Sequence, residues 1–137
     1  MSEIVNCGGC GQVWHDGHRC PPVAFACSKS LVYLATPYSH DDHTVMHRRF
    51  EVVNGVAARL MKEGIHIYSP ISHTHPIAVA GELPRGWDFW EKYDRAILAA
   101  CCKVIVVRQD GWEQSRGVTA ELAIAEELGL PVEFIDP

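Results

Sequence analysis

Two hydrophobic periods alternate along the chain. LVYLA (31–35), IHIYS (65–69), KVIVV (103–107) and VEFI (132–135) are short, nearly continuous apolar runs, the pattern of strands buried within a sheet. Between the first two, residues 42–63 place Val45, Phe50, Val53, Val56, Ala57 and Leu60 at helical spacing, with Gly64 positioned to end the helix. A second helix is predicted over 87–101, with Phe89, Trp90, Tyr93, Ile97 and Cys101 inward. A third covers SRGVTAELAIAEELG (115–129), closed by Gly129 and Pro131, with Val118, Leu122, Ala125 and Leu128 as its apolar stripe. Residues 70–86, rich in His, Pro and Gly, are predicted as a loop. Four strands joined by three helical crossovers predict an open, mainly parallel α/β sheet of flavodoxin or Rossmann type, flanked by helices.

Two acidic residues break this pattern. Glu121 falls inside the apolar stripe of its helix, whereas Glu126 and Glu127 point elsewhere. Asp94 lies between Trp90, Ile97 and Cys101 on the preceding helix. A carboxylate buried without a partner is costly, so two of them on neighbouring elements mark a place where chemistry is expected. Open α/β sheets bind ligands beyond the carboxyl ends of their strands, which draws attention to YLATPYSHDDH, SPISHTHP and RQDGWEQSRG. Ser115 and Gly117 stand at a helix N-terminus, where backbone N–H groups suit a phosphate or carboxylate. Arg116 is placed to support such an anion or to face solvent. His73 and His75 are candidates for polar contacts with a substrate, and Trp87, Trp90 and Trp112 either stack a base or fill the core. His40, Asp41 and Asp42 are positioned to cap the first long helix.

Composition narrows the partners. A chain of 137 residues that is 47% hydrophobic suits one packed domain, and a formal charge of -5 argues against a broad nucleic-acid footprint. No apolar run reaches the ~18 residues of a membrane span, and MSEIVN has neither the basic nor the apolar region of an export signal, so a cytoplasmic protein is expected. The six cysteines are therefore read as thiols or metal ligands, not disulfides. Cys101 and Cys102 precede the third strand; the other four crowd into the first 27 residues, ahead of a change in composition. Residues 1–27 are accordingly assigned to a small module and linker, and 28–137 to the α/β domain. CGGCGQVWHDGHRC spaces Cys7, Cys10, His15 and Cys20 as a zinc knuckle does, with His18 and Cys27 as substitutes for one ligand. Four protein ligands predict a closed, structural zinc site.

YLATPY, the aspartate of YDRAILAA and DGWEQSRGVTAELAIA together resemble the nucleoside 2-deoxyribosyltransferase superfamily, including its deoxynucleoside 5′-monophosphate N-glycosidase branch. The resemblance covers about residues 31–135, and its most specific element is SxGxxxE, here Ser115, Gly117 and Glu121. It implies that Glu121 attacks C1′ of a (deoxy)ribosyl group, that Asp94 assists departure of the base, and that Tyr33 orients the nucleophile. It further implies that Ser115 and the nearby backbone, Gly117 included, hold the substrate's 5′-phosphate; Arg116, Thr36, Pro37 and His73 are further candidate substrate contacts. Thr36 stands where many relatives have Gly, and Gln114 where transferases commonly have Asp. Hydrolysis and base exchange both remain open, as do the base and the sugar. A nucleoside or nucleotide substrate, no organic cofactor and a homo-oligomer follow from the same resemblance. The rival expectations are a non-catalytic module binding a nucleotide or an ADP-ribose-like ligand, with the knuckle contacting a partner, and a nucleic-acid accessory protein led by the knuckle.

Overall fold

A computed structural model describes residues 30–137, so the cysteine-rich segment and its predicted zinc ligands lie outside the described residues. The four apolar runs form β1 (Leu31–Ala35), β2 (His66–Tyr68), β3 (Lys103–Val107) and β4 (Val132–Ile135), each within a residue of its predicted bounds. All pairings are parallel, in the order β2-β1-β3-β4, with Tyr33 level with both Tyr68 and Val104. Because the chain adds β2 on one side of β1 and β3 on the other, the connections diverge between the carboxyl ends of β1 and β3. That divergence opens a crevice where α/β sheets hold ligands.

Strand alternation divides the core in two. Val32, Leu34, Ile105 and Val107 point to one face and pack with Val53, Val56, Ala57 and Leu60 of α1 (His43–Lys62). Tyr33, Ala35, Val104 and Val106 point to the other, against α3 (Trp87–Ala100) and α4 (Arg116–Glu127). The ends of α1 follow local chemistry. Asp42 caps it by accepting from the Thr44 backbone N–H at 2.8 Å, and Gly64 follows its C-cap at a φ of 86° that favours glycine.

The segment predicted as a loop instead opens with α2 (Pro70–Gly81), giving four helices among the described residues. Pro70 stands in the first turn, where a missing N–H is harmless, and Ser69 caps the helix by accepting from Ser72 N–H. Pro76 lies inside, where proline ordinarily breaks a helix. Pro70, Thr74 and Ala78, four residues apart, are buried on one face, and this packing outweighs the local penalty.

Two helices are rotated from their predicted faces. On α3, Phe89 and Tyr93 are 49% and 38% exposed, while Asp94, Leu98 and the capping residue Cys101 are buried. On α4, Val118, Glu121, Ile124 and Ala125 form the buried face; Leu128, predicted inward, is exposed because the helix ends there.

Candidate active site

Tyr33 comes from the middle of β1 and faces α4. Its hydroxyl donates to Glu121 Oε1 at 2.6 Å, a buried bond between residues 88 apart in the chain. Glu121 sits about one and a half turns into α4 and is only 5% exposed. Asp94, on the adjacent α3, is 7% exposed. Glu121 Oε2 and Asp94 Oδ1 have no hydrogen-bond partner among the described residues. Both acids therefore occupy the inward positions that made them conspicuous in the sequence, and only one of their oxygens is held by Tyr33.

Burial dominates their titration. It raises Asp94 from 3.8 to about 7. It raises Glu121 from 4.5 to about 8, the bond from Tyr33 pulling down and the neighbouring Asp94 adding to the rise. Burial, with the charge of Glu121 next, pushes the Tyr33 phenol well above its ordinary 10, so it stays a donor. Between about pH 7 and about pH 8 the acids hold between them about one exchangeable proton, carried mainly by Glu121, so its use as a nucleophile requires that proton to pass to Asp94.

Both acids line a cavity of about 450 Å³ at the carboxyl end of the sheet. That volume lies within the usual range for small-molecule sites. Thr36 lines it too, buried and accepting a bond from the Gln109 side chain. Ser115 caps α4, its Oγ accepting from Val118 N–H at 3.2 Å, and Ser115, Arg116 and Gly117 form one edge of the cavity. The first N–H groups of α4 have no acceptor within the helix. Trp87 and Trp90 line the opening, whereas Trp112 packs against the core and Phe134.

Three predicted contacts fall elsewhere or are already engaged. Pro37 is fully buried and does not line the cavity. His73 projects from the outer side of α2, exposed and stacked toward Tyr93. Two positions apart on a helix differ by about 200°, so it is His75 that reaches the wall. There Tyr38 Oη lies 2.5 Å from His75 Nδ1, and the ring is backed by Phe50 at 4.4 Å between centroids. Arg116 forms an exposed ion pair with Asp88 at 2.8 Å.

Arg49 and Arg85 also line the cavity, and no apolar period or motif singled them out. Arg49 reaches from α1 to donate to the carbonyls of Tyr38, Ser39 and Asp110, tying the loops after β1 and β3 at the carboxyl end of the sheet. Gly111, in the DG turn, makes this possible: its φ is 88°, and a Cβ there would lie 2.5 Å from Arg49 Nη2. Among the described residues, no three His, Cys, Asp or Glu side chains are grouped to hold a metal ion, and no helix is long and apolar enough to cross a membrane.

No curated protein matches the chain. Residues 30–136 match the family model described as "Domain of unknown function (DUF1937)". This match spans nearly the whole α/β domain together with every residue of the cavity, and the chain belongs to the DUF1937 family.

Proposed function

We propose that the protein cleaves the N-glycosidic bond of a nucleoside or nucleoside 5′-monophosphate, with Glu121 as nucleophile. One observation carries the reading: Glu121 is buried at a cavity wall, one oxygen held by Tyr33 and the other without a partner, with Asp94 beside it. In this reading Glu121 Oε2 forms a bond to C1′ as the C1′–N bond breaks, and Asp94 gives its proton to the departing nitrogen. The sugar's developing positive charge favours the ionised form of Glu121, which Tyr33 already stabilises. Water then adds to C1′, Asp94 takes its proton, and the Glu121 ester bond breaks to regenerate the carboxylate. A second base in place of water gives exchange instead. The resemblance to nucleoside 2-deoxyribosyltransferases supports the same roles and extends to a homo-oligomer. A substrate phosphate held in the same cavity, a cytoplasmic site of action and a structural zinc on Cys7, Cys10, His15 and Cys20 complete the proposal. No organic cofactor is needed by this chemistry.

The test is incubation with ribo- and deoxyribonucleosides and their 5′-monophosphates, with and without an acceptor base, followed by chromatography of the free bases. Base release by the wild type that Glu121→Ala abolishes, with ligand binding retained, is the expected result. Binding without turnover in either protein overturns the enzymatic reading in favour of a ligand-binding module.

A further inference from the structure

Of the three guanidinium groups lining the cavity, two have carbonyl or carboxylate acceptors. Arg49 is committed to three backbone carbonyls and Arg116 to the carboxylate of Asp88. Arg85 is different. Its Nη1 lies 2.9 Å from Nε2 of His43 and 3.9 Å from Sδ of Met46, and it forms no ion pair among the described residues. An imidazole nitrogen and a thioether leave most of the five N–H donors of a guanidinium unused. Its backbone is fixed, since Ser39 Oγ donates to the Arg85 carbonyl at 3.0 Å, joining the loop after β1 to the one before α3.

The surroundings favour an anion. Gly86, the N-cap of α3, offers no side chain, so the first N–H groups of that helix lack a side-chain acceptor. The Arg116–Asp88 pair brings the start of α3 against the start of α4, with Arg85 three residues ahead of Asp88. Ser39 and His40 share with Arg85 both the main cavity and the smaller hollow that continues from it, where Asp41 and Met46 form part of the wall. The unpartnered oxygens of Asp94 and Glu121, more than nine-tenths buried in the same cavity, independently mark it as a place for a ligand. Arg85 does not neutralise those acids, because neither is pulled down by a nearby cation.

We propose that Arg85, with the N-terminus of α3 and the side chain of His40, forms an anion subsite that takes the phosphate monoester of the substrate. Arg85 thereby supplies the positive charge for which the sequence nominated Arg116. The inference rests on the nucleotide reading only for the identity of the substrate; the anion site is testable without turnover.

The probe is ribose 5-phosphate, which has the phosphate and sugar but no base to release, with ribose and inorganic phosphate as comparisons. Calorimetry on the full chain measures each dissociation constant. Arg85→Gln is expected to weaken ribose 5-phosphate on the order of 10- to 100-fold, the loss of a charged, multiply bonded phosphate contact. Ribose affinity stays within about twofold, and Arg116→Gln loses less than Arg85→Gln. Arg85→Lys, which keeps charge but not the planar fork, falls between. Circular dichroism checks that the variants are folded, and because Arg85→Lys preserves the charge it tests the site even where Arg85→Gln is unstable. Equal affinities in wild type and Arg85→Gln, a larger loss in Arg116→Gln, or no binding of ribose 5-phosphate to the wild type overturns the subsite. Binding through Arg85 without base release from any nucleotide upholds the subsite and overturns the glycosidase reading. Base release that is indifferent to Arg85 does the reverse.

Discussion

Replacing Glu121 by Gln is expected to stabilise the fold at alkaline pH while removing the nucleophile. The glutamate's carboxyl titrates at an ordinary 4.5 in the unfolded chain and at about 8 when folded, so within this window the folded state binds more protons. Stability therefore falls as pH rises from about 4.5 to about 8 and levels off above. The gap of about 3.5 pH units, at about 1.4 kcal/mol each, is worth about 5 kcal/mol, of which about 4 kcal/mol is lost between about pH 5 and pH 8.5. The substituted glutamine keeps the shape, and its carbonyl oxygen still accepts from the Tyr33 hydroxyl, but it carries no charge to bury. Burying the amide offsets part of the gain, by about 1–2 kcal/mol. Urea unfolding at about pH 5 and about pH 8.5 separates these effects, because titrating groups that do not interact with Glu121 cancel in the difference between the two proteins, leaving Glu121 and its coupling to Asp94 and Tyr33. The expected result is near-equal stability at the lower pH and a variant more stable by about 2–4 kcal/mol at the higher, with unchanged m-values. A difference that is the same at both pH values would refute the reasoning, since it would show that Glu121 is not held protonated by burial. A residue that weakens the fold while completing a cavity is what stability–activity trade-off predicts for a catalytic group.

Three further outcomes follow from the same geometry. Base release should describe a bell against pH, highest between the values of about 7 and about 8 at which the pair titrates, because the active form carries one proton on two acids; Tyr33→Phe should lower the rate on the order of 10- to 100-fold and move the alkaline limb, set by the higher value of Glu121, upward, and an unshifted profile would count against Tyr33 as the group favouring ionised Glu121. Gly111→Ala should destabilise the domain by about 1–2 kcal/mol in thermal or urea unfolding, since an L side chain is strained at φ 88° and displaces the Arg49 fork; a neutral effect would show that the turn relaxes. The purified full chain should carry about one equivalent of zinc by elemental mass spectrometry, and less than about half an equivalent with thiols intact would argue against the knuckle on Cys7, Cys10, His15 and Cys20.

Strand positions, the long first helix, its Asp42 cap and its Gly64 terminus were legible in the chain, because each depends on neighbours within a few residues. So was the anomaly of Glu121 and Asp94: a helical period tells which face a residue shares, and both acids shared a buried one. Period alone was too coarse to fix the rotation of α3, where aromatic rings on both sides of Asp94 made the apolar arc ambiguous. The structure resolved it by exposing Phe89 and Tyr93.

What the sequence by itself determined is the set of local preferences and the two misplaced acids; what the tertiary structure decided is which groups meet. Helix α2 exists because Pro70, Thr74 and Ala78 find a surface to bury against, a gain invisible to rules that read Pro76 as a breaker. That helix in turn selects His75 over His73. The bond between Tyr33 and Glu121 spans 88 residues, and Arg49 joins loops after β1 and β3. Arg85 stands out only once the partners of Arg49 and Arg116 are known. Hydrogen bonds and ion pairs act over a few ångströms of space, whatever the distance along the chain, so their pairing becomes readable only when the sheet order brings the segments together.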